Sequence, residues 1–580
     1  MGAMKQLIDC AMKREQCDLV IKGARILNVF TGDVEEAEIA VKGGAIAALG
    51  KGYEGKEVYD GSGLFALPGL MDAHIHVESS LLSPEAFARL AVAHGTTGIV
   101  ADPHELVNVC GIAGAEYVKE AFSRIRKEGV EPLDVFLQLP SCVPATPFET
   151  SGAVINGTET AHEIKRPLFH GLGEMMNYPG VLAADEDTLK KIEAAHEAGK
   201  VVDGHAPDVR GDALNAYLAA GIATDHECGS PEECAEKVAR GMYVQLRNSS
   251  SAHNLEVNCA AVTPFNFRRF LACSDDKNAY DLANKGHMDD ALRRLVARGV
   301  PAAEAVCMAT LNIAECYHMQ GKGAVAPSYD ADLVLVDNLT EFNVKAVFKR
   351  GVLVAEHGKP LFEEGERYLP DAVKSTVRIR PVTADDFKIN IPSGKALAMT
   401  ILPHTLVTEG EVVSVQTKDG DAVLENTDLL KLAVVERHFA TGNIGKALLK
   451  GYGFRGGALA VSMAHDSHNL VVLGDDNAAM ARAVKLLEEI GGGMALVTKD
   501  GEDCFPLDIA GLMSSAPCEE VVARTGEISA RARKMGVKDC YEPVMTLVFL
   551  SLLVIPKLKL SDKGLFDVEK FRFTSLEVQK

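Results

Sequence analysis

The sequence predicts an α/β protein: a (β/α)8 TIM barrel, a small β-sandwich built from both flanks of that barrel, and an additional C-terminal α/β domain. Three observations predict it. Eight apolar segments of strand length each run directly into polar, reactive residues, as the strand ends of a barrel do. Helix signals fall between those segments. Short strand-like bursts punctuated by Gly and Asp occupy residues 18–65 and return at 325–357, on either side of the barrel. The expected division is 1–66 for the first part of the sandwich and 67–324 for the barrel. Its second part is 325–380, and 381–580 forms the C-terminal domain.

The elements follow in order. The first flank reads as Asp18-Leu-Val-Ile, Arg25-Ile-Leu-Asn-Val, Ala37-Glu-Ile-Ala-Val-Lys and Ala45-Ile-Ala-Ala-Leu. The first barrel strand lies in Ala66-Leu-Pro-Gly-Leu-Met-Asp-Ala-His-Ile-His76. Residues i and i+2 of a strand share a face, so His74 and His76 present two imidazoles to one side. The next strands run Thr97–Ala101 into Asp102-Pro-His-Glu105, Val135–Leu139 into Pro140, and Leu168–Gly173 into Glu174. Val201–Gly204 leads into His205, and Ile222–Thr224 into Asp225-His226-Glu227. Met242–Leu246 leads into Arg247, and Phe270–Ser274 into Asp275-Asp276. Between them, Ser230-Pro231-Glu-Glu supplies an N-cap, a proline at the first helical position and first-turn acids. A second helix runs from Asp185 and stops at Gly199. In the C-terminal zone Gly491–Gly493 reads as a helix stop, and the apolar run Val544–Ile555 as a buried strand.

Composition limits the function. The chain has 580 residues and a formal net charge of −21, which disfavours binding to a phosphate backbone. The longest apolar run is too short to span a bilayer, and the first residues lack the pattern of a secretory leader. Thirteen cysteines without a Cys-x-x-Cys pair argue against a thiolate metal site and for reduced, buried thiols in a cytoplasmic protein. Cys228 and Cys273 are expected to be packing residues. His76-Val-Glu78 matches half of the zinc signature of nucleic-acid base deaminases, but the Pro-Cys-x-x-Cys half is absent.

At one barrel mouth the sequence gathers His74, His76, Glu174, His205, His226 and Asp275. Four imidazoles and two carboxylates suit two divalent transition ions, Mn2+, Fe2+ or Zn2+, sharing a bridging oxygen. Such a pair brings the pKa of bound water to roughly 7, which is hydrolytic chemistry.

These residues resemble the amidohydrolase superfamily. Many of its members bridge their metals with a carboxylated lysine after the fourth strand, where this chain carries Glu174. With His76-Val-Glu-Ser-Ser80, Ala101-Asp-Pro-His-Glu105, Asp203-Gly-His-Ala-Pro207, Ser274-Asp-Asp276, Gly451-Tyr-Gly-Phe-Arg-Gly-Gly and His465-Asp-Ser-His-Asn469, that departure resembles the bacterial adenine deaminase family over nearly the whole chain. The resemblance implies hydrolysis of adenine to hypoxanthine and ammonia, in purine salvage, by a metal-bridging hydroxide attacking C6. It implies Asp275 as both ligand and proton carrier, Glu105 or Asp102 as the group that protonates the ring, and Asp276, Glu78 and Ser80 as substrate contacts. The expected partners are adenine and water, with no nucleic acid and no membrane. A homodimer or larger homo-oligomer is expected. His465, Asp466 and His468 either reach the barrel mouth or form a polar turn between strands. The alternative is a cyclic-amide hydrolase of the dihydroorotase or hydantoinase kind, for which a lysine bridge is expected. A scaffold without activity would have lost ligands, and all six are present.

Overall fold

A computed structural model describes residues 2–250, 254–363, 365, 367–403 and 405–579. Among these, eight parallel strands form the barrel. They are β1 (Leu70–Ile75), β2 (Thr96–Ala101), β3 (Asp134–Leu139), β4 (Gly171–Met175), β5 (Val202–Gly204), β6 (Thr224–Asp225), β7 (Tyr243–Arg247) and β8 (Phe270–Cys273). Strands β1 to β5 make one continuous arc and β6 to β8 a second. The Ala223 amide donates to the Val202 carbonyl at 2.9 Å across one seam, and a parallel bridge between Ile75 and Asp275 closes the other. All residues of β1, β2 and β8 are buried; β8 reads as an unbroken apolar run, whereas β1 carries Asp72 and His74 within it.

The flanks do form one sandwich. A seven-stranded sheet joins Arg25–Leu27 and Phe65–Pro68 to Leu333–Val336, Val344–Lys349 and Val352–Glu356. Its seam pairs Leu333 with Pro68 and Val336 with Phe65, antiparallel. A second sheet of Ala45–Gly50, Glu38–Lys42, Cys17–Lys22 and Gly55–Asp60 packs on it through Ile21, Ile39 and Val41 against Leu333, Leu335 and Phe348. The strand Phe65–Pro68 runs almost directly into β1. Gly69 permits this, because a Cβ there would lie 2.1 Å from the Thr97 hydroxyl oxygen.

The C-terminal domain is built on an eight-stranded sheet within residues 395–506. The helix Asn477–Glu489 covers one face through Met480, Val484 and Leu487. It starts at the N-cap Asp476 and stops before Gly491 and Gly492, both at positive φ, as expected. The opposite face, with Leu432 and Val461, joins the apolar core shared with the barrel. Thr150 donates twice to Asp562 (2.9 and 2.7 Å), and the Ser514 amide donates to the Leu81 carbonyl at 2.8 Å. The domain therefore sits on the barrel mouth.

Two expectations fail. Val544–Ile555 is not a strand: Pro543–Val548 is an α-helix and Phe549–Ser551 a 3-10 turn. Glu542 caps it by accepting from the Met545 amide, and Pro543 takes the first position. A short apolar run does not distinguish a strand from a buried helix. Nor are all thiols reduced: Cys10 and Cys17 form a disulfide. The helix Gly2–Ala11 folds back on the strand Cys17–Lys22, leaving their Cα atoms 5.5 Å apart, within bonding range. Cys228 and Cys273 are buried packing residues, as expected. Among the described residues no helix is long and apolar enough to cross a membrane.

Candidate metal centre and active site

The six expected ligands converge at the C-terminal ends of the strands. His74 comes from β1 and His76 follows it, Glu174 comes from β4, His205 follows β5, His226 follows β6 and Asp275 follows β8. The Nε2 atoms of His74 and His76 are 3.1 Å apart. His76 Nε2 lies 3.3 Å from Glu174 Oε1 and 3.2 Å from Asp275 Oδ1. The other Glu174 oxygen, Oε2, lies 2.7 Å from His205 Nδ1 and 3.3 Å from His226 Nε2. One carboxylate thus addresses imidazoles on both sides: Oε2 faces His205 and His226, and Oε1 faces His76, with His104 equally near and His74 at 3.9 Å.

Supporting groups aim the ligands. His76 Nδ1 donates to the Asp102 carbonyl at 2.9 Å; a carbonyl only accepts, so Nε2 keeps its lone pair for the centre. The Asp275 amide donates to the His74 carbonyl at 2.9 Å. Asp275 itself has φ +55°, a left-handed conformation that Asp tolerates better than most residues. Asp102 Oδ2 accepts the Glu174 amide at 3.0 Å. It can approach only because Gly173 has no side chain: a Cβ there would lie 2.0 Å from that oxygen.

The charge balance fits divalent cations. Burial disfavours every charge here. Even so, the carboxyl of Glu174 is held well below its usual range by His205 and His226, and that of Asp275 by Arg247 and His76. In return the carboxylates draw a proton onto His226, pushed up to about 9 against its own burial. His76 and His205 are raised likewise, whereas burial and the neighbouring His226 and His76 hold His74 low; where carboxylates draw protons onto imidazoles, cations compete for the same lone pairs. The trios His74–His76–Asp275 and His74–Glu174–His226 each bring their ligand atoms within 4.8 Å of one another.

The remaining expected residues divide. Asp276 lines a cavity of about 800 Å³ that opens onto the ligand cluster. Ser79 Oγ lies 2.5 Å from Asp276 Oδ1 and 3.0 Å from Glu105 Oε1, tying Glu105 to that wall. Glu105 stands in the first turn of the helix His104–Cys110. Glu78 accepts the Leu106 amide at 3.1 Å; burial, with the adjacent Glu105 carboxylate, pushes it up to about 7. The Ser80 hydroxyl donates to the Val77 carbonyl at 2.6 Å, inside its own turn. Glu78 and Ser80 are therefore not brought to the cavity wall, and the Asp102 carboxylate faces the Glu174 strand.

His104, Arg247 and Glu227 were given no role by the sequence, and His465 was left between two readings. His104 Nδ1 is 3.3 Å from Glu174 Oε1. Arg247 bonds to Asp275 Oδ2 at 2.8 Å and also pairs with Glu227. His465, from the C-terminal domain, places Nδ1 3.4 Å from Glu105 Oε1. The first three were visible as strand-end residues, and His465 as half of a polar motif. His465 and Asp466 do line the cavity, whereas His468 is buried with neither ring nitrogen bonded.

Beneath His226, Asp225 and Lys237 are both fully buried, 2.9 Å apart, and Lys237 also meets Glu233 at 2.6 Å. Asp225 accepts the Ala206 amide at 2.8 Å and so joins the β5 and β6 ends that carry His205 and His226. Lys237→Met leaves Asp225 charged and unpaired, a loss of about 3–5 kcal/mol. Calorimetry should show the barrel's unfolding transition clearly lowered; an unmoved transition would rule out this buttress.

A sequence model of the amidohydrolase family matches residues 65–354, and one of the adenine deaminase C-terminal domain matches 405–572. An adenine deaminase of Nitratidesulfovibrio vulgaris is 46% identical over 577 residues, covering 99% of each chain. An adenine deaminase 2 of Desulfotalea psychrophila is 46% identical over 579 residues, again with 99% of each. The chain belongs to the adenine deaminase family. An adenine deaminase of Clostridium acetobutylicum is 41% identical, covering 99% of this chain and 100% of its own. Among solved structures, a dihydropyrimidinase from Brevibacillus agri superposes with a TM-score of 0.44 at 17% identity, over 60% of this chain and 96% of its own. Members of the amidohydrolase family are metal-dependent hydrolases, and the His, Asp and Glu groups described above can hold metal.

Proposed function

We infer that this chain hydrolyses adenine to hypoxanthine and ammonia, using two divalent ions held by His74, His76, Glu174, His205, His226 and Asp275. The observation that carries the reading is Glu174, whose Oε2 faces His205 and His226 while Oε1 faces His76, with His104 equally near and His74 at 3.9 Å. Bound divalent ions supply Lewis acidity and a water acidic enough to be hydroxide near neutral pH. Mn2+, Fe2+ and Zn2+ all suit this donor set.

The chain's own residues handle substrate and protons. Asp275 takes the proton of the attacking water and returns it to the departing amine. Arg247, beside it, keeps that carboxylate ionised until the proton arrives. Glu105 gives the ring nitrogen its proton, and Ser79 couples it to Asp276, which faces the purine from the cavity wall. Asp102 backs the Glu174 strand, while Glu78 and Ser80 shape the first-strand loop from behind. The reading divides the chain at about 66, 324 and 380, and places a homo-oligomer in cytoplasmic purine salvage.

The test is turnover of three substrates by the metal-loaded protein. Adenine should release ammonia and hypoxanthine in equal amounts, while dihydroorotate and hydantoin stay intact. Ring opening of either, with adenine untouched, would transfer the chain to the cyclic-amide hydrolases.

A further inference from the structure

We propose that Lys559 is a positioning residue that holds the C-terminal roof closed over the catalytic cavity; the inference rests on the deaminase reading above. The roof consists of two separate segments, one with Leu406 and Val407 and the other running from Phe549 to Ile555. Lys559 stands on the strand Leu558–Ser561, fully buried. Its ammonium donates to the Leu406 carbonyl at 2.9 Å and to the Phe549 carbonyl at 3.1 Å. It is therefore bonded to both segments at once.

Among the described residues no carboxylate pairs with this ammonium. Burying an unpaired charge opposes folding, and an apolar side chain would pack this strand at lower cost. What an apolar side chain lacks is a donor for two carbonyls that come from different parts of the chain. Burial pushes the Lys559 ammonium down to about 7, in keeping with its lack of a counter-ion.

The clamp reaches the cavity wall through Phe549. Its ring stacks on His465 with centroids 4.6 Å apart and planes 21° apart. The Ser551 hydroxyl also donates to the His465 carbonyl at 3.1 Å. His465 in turn faces Glu105 at 3.4 Å. A second clip fixes the other segment, since the Thr408 hydroxyl donates to the Leu558 carbonyl at 2.5 Å and the Lys557 amide to the Thr408 carbonyl at 2.9 Å. Lys559 thus acts through the roof and touches no reacting atom.

The experiment uses the full-length, metal-loaded enzyme with Lys559→Met and Thr408→Val. Each should raise KM for adenine, about tenfold or more in Lys559→Met and less in Thr408→Val, with kcat within about threefold and metal content unchanged. Amide hydrogen exchange at 405–408 and 549–556 should accelerate in step. A merely structural role would lower the active fraction, so kcat would fall while KM stayed fixed. That pattern, or unchanged KM and unchanged exchange, overturns the proposal. If Lys559→Met is insoluble, Thr408→Val decides by the same criteria. Exchange is read without substrate, so a failed roof stays distinguishable from a wild-type enzyme that does not accept adenine.

Discussion

Chelation should abolish adenine deamination, and Glu174→Gln should prevent the apoenzyme from recovering fully when divalent metal is returned. Elemental analysis of the active wild-type protein should find close to two ions per chain, with Mn2+, Fe2+ and Zn2+ restoring activity to different degrees. The expectation for Glu174 follows from its two oxygens. One lies 3.3 Å from His76 Nε2, the other 2.7 Å from His205 Nδ1 and 3.3 Å from His226 Nε2. Two dications a few ångströms apart repel strongly in a water-poor site, and a shared carboxylate offsets part of that repulsion. An amide of the same shape removes the charge and turns a donor toward one half of the site. Occupancy should fall toward one ion per chain, with activity falling at least as far. A Glu174→Ala enzyme that binds both ions and turns over at the wild-type rate would remove Glu174 from the centre.

The same residue shows how much the sequence made legible. Glu174, His205, His226 and Asp275 were recognisable because each follows or closes an apolar run of strand length, and a barrel gathers such ends at one mouth. His74 and His76 stood out by strand alternation, and only the other strand ends made the pair recognisable as ligands. Roles that depend on side-chain direction were harder. Asp102 and Glu105 stand three residues apart in one loop, and nothing in the letters says that one carboxylate turns back under Gly173 while the other meets Ser79. Ser80 and Glu78 sit in the right loop with their polar atoms bonded to local backbone. His465 is the clearest limit. It reaches the barrel only because a separate sheet docks on the mouth, and that contact is tertiary. The helix at Pro543–Val548 hid for a different reason: at six residues it is too short for its one buried face, Pro543, Val544, Leu547 and Val548, to show as a period within a longer apolar run.

Asp275→Asn and Glu105→Gln should separate metal binding from proton transfer. Asp275 Oδ1 lies 3.2 Å from His76 Nε2 within a ligand trio, and Oδ2 meets Arg247 at 2.8 Å. Its amide variant loses the charge that binds a cation and the base that carries the proton, so activity should drop by orders of magnitude with weakened metal retention. Glu105 contacts Ser79 and His465 from the first turn of the helix His104–Cys110. Its amide keeps the shape and the hydrogen bond to Ser79 but cannot give up a proton on demand. Glu105→Gln should therefore retain both ions while kcat falls about 10²–10⁴-fold, the range typical of a lost general acid or base, with KM for adenine changing much less. Asp102→Asn supplies the contrast. Its carboxylate accepts the Glu174 amide at 3.0 Å, so its loss should disturb metal retention before it disturbs proton transfer. Near-normal kcat in Glu105→Gln, with both ions bound, would move the proton role to Asp102 or Asp276. Loss of metal in Glu105→Gln would instead mean that the second-strand loop supports the ions directly, through the neighbouring His104, 3.3 Å from Glu174.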